Sequence, residues 1–131
     1  MKKDIQIPEV SGVDIAIVFE YDPLYKTDDW NVYIINQKEI DLEMVVIVLK
    51  GFNDNNITSV LRKKIDRLAA NSYAKVEFIQ PELFQLNNQY QVTFFWENTL
   101  FEKTFLFPKN TIKEGALRML PLLNKRGILS K

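Results

Sequence analysis

Asp22, Asp28 and Asp29 lie close together in the chain and run into Trp30. Their oxygens suit a hard cation such as Ca²⁺. Alternatively, with Trp30 or Tyr25 exposed beside Asp28 and Asp29, the group suits a sugar or a small carboxylate-based active site. The competing reading is a solvated turn after Pro23, where Asp side chains accept hydrogen bonds from nearby backbone amides. A second grouping, Arg62-Lys63-Lys64 with Arg67, is cationic. It could contact an anion or an RNA backbone, or guard the edge of a sheet against unwanted pairing. Ser72-Tyr-Ala-Lys75 has the S-x-x-K spacing of a serine nucleophile. That arrangement works from a helix start with S-D-N and K-T-G partners, which are absent here, and on a strand Ser72 and Lys75 face opposite ways.

The chain has no histidine and no cysteine. Ser-His-Asp and Cys-His catalysis and every His/Cys metal centre are therefore excluded by composition. Acid–base work would fall to carboxylates, Lys or Tyr. Gly51-Phe-Asn-Asp-Asn-Asn56 holds a single glycine and no Lys-Ser/Thr pair, so it is a turn and not a phosphate cradle. Asn56-Ile-Thr58 is a glycosylation sequon that matters only in a secreted chain. The expectation is a non-enzyme with no cofactor and no metal.

The elements that position these residues read mainly as strands. Val13, Ile15, Ile17 and Phe19 share one face with Asp14 and Glu20 opposite, up to a turn at Asp22-Pro23. Trp30 to Asn36 is rich in aromatic and β-branched residues, and Leu42 to Leu49 is apolar on both faces from Met44 on, as in a covered central strand. Tyr73 to Ile79 alternates again, with Ala74, Val76 and Phe78 facing one way and Lys75 and Glu77 the other. Gln89 to Phe107 holds a dense set of aromatics. A turn at Asn98-Thr99 would set Tyr90, Val92, Phe94 and Trp96 opposite Phe107, Phe105, Lys103 and Phe101, building a core and not a ligand cage. Phe95 falls on the other face. Thr111-Ile-Lys-Glu114 matches a capping box, predicting a short helix with Ile112, Ala116, Leu117 and Leu120 on its apolar stripe. Ile57 to Ala70 fits a helical stripe when read locally, with Thr58 or Ser59 as N-cap.

With 131 residues, 47% hydrophobic and 26% charged, the chain is expected to form one domain over residues 1–131. Net charge is zero, with 5 Lys/Arg against 11 Asp/Glu up to residue 56 and 12 against 6 beyond it. In a folded domain these halves interleave, which argues against strong nucleic-acid binding. The opening Met1-Lys-Lys-Asp-Ile-Gln-Ile-Pro8 lacks the apolar run of a secretory signal, and no stretch approaches a membrane span, so no membrane partner is expected and cytoplasm is the default location.

Thr58-Ser-Val-Leu-Arg62, Ser72-Tyr-Ala-Lys-Val-Glu77, Leu86-Asn-Asn88 leading to Val92-Thr-Phe-Phe95, and Asn110-Thr-Ile112 carry a resemblance over roughly residues 30 to 131. The chain resembles short bacterial sequences catalogued as phenylalanyl-tRNA synthetase alpha subunit. That name implies an amino-acid-activating ligase, whose class II core uses arginine-bearing motifs to clamp ATP and is far longer than this chain. No Gly-rich, Arg-terminated segment of that kind occurs here, so the name reads as a misnomer and no synthetase residue is carried over. In the similar sequences the segment matching Val60 to Ala70 holds Gly or Pro, which favours an extended reading, and Leu68 to Phe78 resembles the opening strand pattern of immunoglobulin-like sandwiches.

The expected architecture is a mainly β, two-layer antiparallel sandwich of about seven strands, immunoglobulin-like in style, with one short C-terminal helix. The alternative is an α+β domain with a helix at 59–70 packed on an antiparallel sheet. The expected function is a non-catalytic interaction or scaffold domain that binds a protein partner or forms a homodimer through a sheet edge or loops. The alternatives are an RNA- or tRNA-associated accessory protein, contacting nucleic acid through Arg62, Lys63, Lys64 and Arg67, and a small carboxylate-based enzyme or carbohydrate-binding module built on Asp28, Asp29 and Trp30.

Overall fold

The computed structural model describes residues 10–54 and 56–130, apart from the side chains of Thr58 and Ser59. The reading of Met1 to Pro8, and those of Thr58 and Ser59 as caps or acceptors, lie outside the described residues. The described chain holds nine strands: β1 (Val13–Asp22), β2 (Thr27–Asn36), β3 (Leu42–Phe52), β4 (Ile57–Leu68), β5 (Ser72–Phe78), β6 (Asn87–Trp96), β7 (Thr99–Phe107), β8 (Arg118–Leu120) and β9 (Lys125–Leu129). They form two antiparallel sheets, one ordered β5-β2-β1-β9-β8 and the other β4-β3-β6-β7. No helix among the described residues is long and apolar enough to cross a membrane.

The inward side chains follow directly from the alternation in β1 to β3. Val13, Ile15 and Ile17 of β1, Trp30, Val32 and Ile34 of β2, and Val45, Ile47 and Leu49 of β3 are buried in one cluster with Tyr90, Val92, Phe94, Phe105 and Phe107. Full burial of each large apolar side chain contributes about 1.5 to 3 kcal/mol relative to exposure. The crowded aromatics are therefore mostly core, as expected. β3 is central in its sheet, with β4 and β6 on either side. Its outward Val46 and Val48 are only half-buried, so the covering layer expected on that face is absent among the described residues.

Three expectations are corrected. The β6–β7 turn falls on Glu97 and Asn98, both with positive φ (48° and 63°), so Trp96 pairs with Thr99, Phe94 with Phe101 and Tyr90 with Phe105. The register thus sits two residues from the expected one, which preserves the inward face because side chains alternate with period two. In β5 the alternation breaks: Val32 pairs with Glu77 while Tyr33 pairs with Lys75, leaving Val76 as the extra residue of a bulge. The bulge turns Phe78 outward, exposed, and Ile79 inward.

The third correction concerns the C-terminal segment. The expected helix shrinks to a single 3-10 turn at Glu114–Ala116, preceded by an extended Lys113 with no side-chain cap. The Thr111 hydroxyl donates to the Pro108 carbonyl at 2.6 Å and does not cap. Residues beyond the turn become β8 and β9, giving nine strands where seven were expected. Pairing β9 with β1 (Ala16 with Leu129, Ile17 with Ile128, Val18 with Gly127) fills a sheet position that a helix could not, and this tertiary gain overrides the local capping signal. The β8–β9 connection also lays Leu120 and Leu123 over Ala16, Val18, Tyr33 and Ile35, making a second small core on the outer face of the first sheet.

Segment 57–68 is strand and not helix, which bears out the extended reading of the ambiguous region. The buried Asn36 ties the strand connections together. Its Nδ2 donates to the carbonyls of Ile40 (2.9 Å), Ala69 (3.0 Å) and Leu68 (3.3 Å), and its Oδ1 accepts from the Lys38 amide (3.0 Å).

Candidate functional site

β4 pairs with β3 along one side and, among the described residues, has no strand on the other. It is an edge of twelve residues on which Ile57, Val60 and Leu61 are exposed at 63%, 62% and 48%. Strand alternation divides the four cations predicted to act together. Arg62 and Lys64 pair with the outward Val48 and Val46, whereas Lys63 pairs with the inward Ile47. Arg67 is held by Asp41, whose Oδ2 accepts from Nε at 2.9 Å and also from Nη2, while Oδ1 accepts from the Ala70 amide at 2.8 Å. The hydrogen bond from Arg67, then that from the Ala70 amide, hold the Asp41 carboxyl below its usual range. The edge is thus apolar at its start and cationic from Arg62 on. Lys63 is close enough to Glu77 to oppose the burial that pushes the Glu77 carboxyl upward.

Asp28, Asp29 and Trp30 are not a loop but the opening of β2, and the pairing separates them. Asp28 pairs with Tyr21 and Asp29 with Glu20, so the two carboxylates face opposite ways. Trp30 is withdrawn into the core, its ring 4.5 Å from Phe19 and 5.2 Å from Phe84. Asp22 closes the β1–β2 turn, accepting from the amides of Leu24 (2.9 Å) and Tyr25 (3.3 Å). Among the described residues no group of three or more His, Cys, Asp or Glu is arranged to hold a metal ion. Ser72 donates to the Ala69 carbonyl at 2.6 Å and pairs with Asn36, while Lys75 pairs with Tyr33 on the opposite face, so the S-x-x-K residues are apart.

Sequence reasoning missed a polar group on the outer face of the first sheet. Glu20 Oε2 accepts from Asn31 Nδ2 and from the Tyr33 hydroxyl, each at 2.7 Å, and Oε1 lies 2.9 Å from Lys125 Nζ. Burial pushes the Glu20 carboxyl up, but the hydrogen bonds from Tyr33, Lys125 and Asn31 outweigh it and hold it below its ordinary 4.5. Burial and the Glu20 contact push the Tyr33 phenol well above its ordinary value. The available signal was a Glu and an Asn beside the apolar outward positions Ala16, Val18 and Ile35. Only the β1–β2 register brings them together. A cleft of about 360 Å³ opens beside this group, lined in part by Tyr25, Asp29, Asn31, Lys75 and Phe78.

At the end of the sandwich by the β6–β7 turn, Trp96, Phe101 and one side of Phe94 line a larger cleft of about 520 Å³, closed by the Gly12 and Lys38 to Ile40 segments. Trp96 is exposed at 36%, so the hairpin aromatics are core except at their tip. No protein-family model matches this chain, and no curated protein or solved structure compared with it is similar to it.

Proposed function

We propose that the protein is a non-catalytic interaction domain that takes an extended segment of another protein onto the free edge of β4. The observation that carries this reading is the length and composition of that edge: twelve residues paired, among the described residues, on one side only, with Ile57, Val60 and Leu61 exposed. Natural edge strands that must stay unpaired are kept short, interrupted by Pro, charged or covered; on β4 the charge begins only at Arg62, and an incoming strand gains main-chain hydrogen bonds along the apolar part that precedes it.

Charge supports a partner of opposite sign. A second copy pairing antiparallel over the length of β4 would set Arg62, Lys63 and Lys64 of one chain against those of the other, and like charges directly opposite are destabilising. The edge instead suits a strand that is apolar at one end and acidic at the other. Photo-crosslinking from position 60 tests this reading in cells that produce the chain naturally. A protein adduct from Val60 and none from Glu102 on the β7 edge is the expected result. A nucleic-acid adduct from position 60 would favour the RNA-associated alternative, and adducts from Glu102 alone would move the interaction to another edge.

A further inference from the structure

The outer-face cleft of the first sheet holds an unmet acceptor. Asn31 is 4% exposed, and its Nδ2 is committed to Glu20 at 2.7 Å. A carboxylate can only accept, so this contact fixes the amide orientation and leaves Asn31 Oδ1 as the free end. That oxygen is buried and has no hydrogen-bond partner among the described residues. Glu20 cannot serve it, being itself an acceptor already engaged by Tyr33 and Lys125. A buried polar atom without a partner costs about 1 to 3 kcal/mol, and a donor supplied from outside recovers that cost.

The rest of the cleft specifies the donor. Phe78 is the direct cross-strand neighbour of Asn31, and it faces outward only because of the bulge at Val76. Phe78 is 49% exposed and Tyr25 73% exposed, so the cleft that Asn31 lines is bordered by two aromatic side chains that the core does not hold. Asp22 and Asp29 bring carboxylates to the cleft lining and Lys75 brings an ammonium donor. A phosphate would meet Asp29, and an ammonium ligand would meet Lys75. A neutral ring that bears hydroxyls on its rim and C–H groups on its face satisfies all of them. We propose that this cleft binds a saccharide unit, stacked on Phe78, with one hydroxyl donating to Asn31 Oδ1 and others to Asp29.

This site lies on the other sheet from β4 and stands or falls independently of the strand-addition reading. The test is a ¹H–¹⁵N titration of the labelled protein with glucose, galactose, mannose and N-acetylglucosamine up to about 10 mM, ten times a Kd of about 1 mM. At least one sugar is expected to move the Asn31 side-chain amide together with the Tyr25 and Phe78 backbone amides along one saturable curve. Phe78→Ala, a change at an exposed ring that keeps the native melting curve, should weaken that binding about tenfold, equivalent to about 1.4 kcal/mol. No saturable shift with any of the four sugars would overturn the assignment. So would shifts unchanged in Phe78→Ala, or a response to spermidine in place of the sugars.

Discussion

Asn36 and Glu20 show how single polar residues are fixed by the sandwich. Asn36 is fully buried and satisfies three carbonyls from two different connections. Asn36→Ala leaves those carbonyls without their donor, and a loss of about 1 to 3 kcal/mol is expected in chemical denaturation. Glu20 makes a pH-dependent contribution. Its folded pKa lies below its ordinary 4.5, so the unfolded chain binds the proton more readily. The stability it supplies is fully present above about pH 4.5 and is lost as pH falls through the lower folded value. Denaturant midpoints measured between about pH 3 and 6 should therefore fall more steeply for the native chain than for Glu20→Gln. Parallel curves would detach Glu20 from Asn31, Tyr33 and Lys125. The composition alone fixed the absence of His and Cys, but these two clusters could not be read there, because each depends on which residue lies opposite in a neighbouring strand.

At the level of elements, the inward face of β1, Val13, Ile15 and Ile17, was legible because a buried face imposes period two on the sequence, whereas Ala16 and Val18 are buried on the other face by the β8–β9 connection. The parts that were not legible are those decided by a partner strand. A bulge at Val76 reverses Phe78, a two-residue turn at Glu97-Asn98 shifts the β6–β7 register, and β9 displaces an expected helix by pairing with β1. Gly127 records how tight that last pairing is: a Cβ there would stand 2.7 Å from Leu120 Cδ1 and 3.0 Å from the Ile17 carbonyl oxygen. The backbone oxygen cannot swing away, so Gly127→Val should cost about 1 to 3 kcal/mol as overpacking does. A thermal melt checks this, and an unchanged melting temperature would mean that β9 does not dock on β1 as described. The periodicity of β4 favours a helix, so its extended form was not legible in the local pattern and is decided by its pairing with β3.

At the scale of the molecule, two antiparallel sheets close one main core and, among the described residues, leave the 57–68 edge unpaired. Val60→Lys lies on that edge with an exposed side chain, so it should change stability by less than about 0.5 kcal/mol while removing apolar contact with any added strand. Like-charge opposition along β4 predicts a monomer in light scattering after size exclusion, and a dimer abolished by Val60→Lys would show that a second copy is the partner. The central claim is that this edge receives another protein. It is tested most directly by peptide-resolved hydrogen exchange on the complex captured through the Val60 crosslinking position. The account predicts slowed exchange over residues 57–68 and unchanged exchange over β7. Equal exchange in the 57–68 segment with and without the captured partner would contradict it.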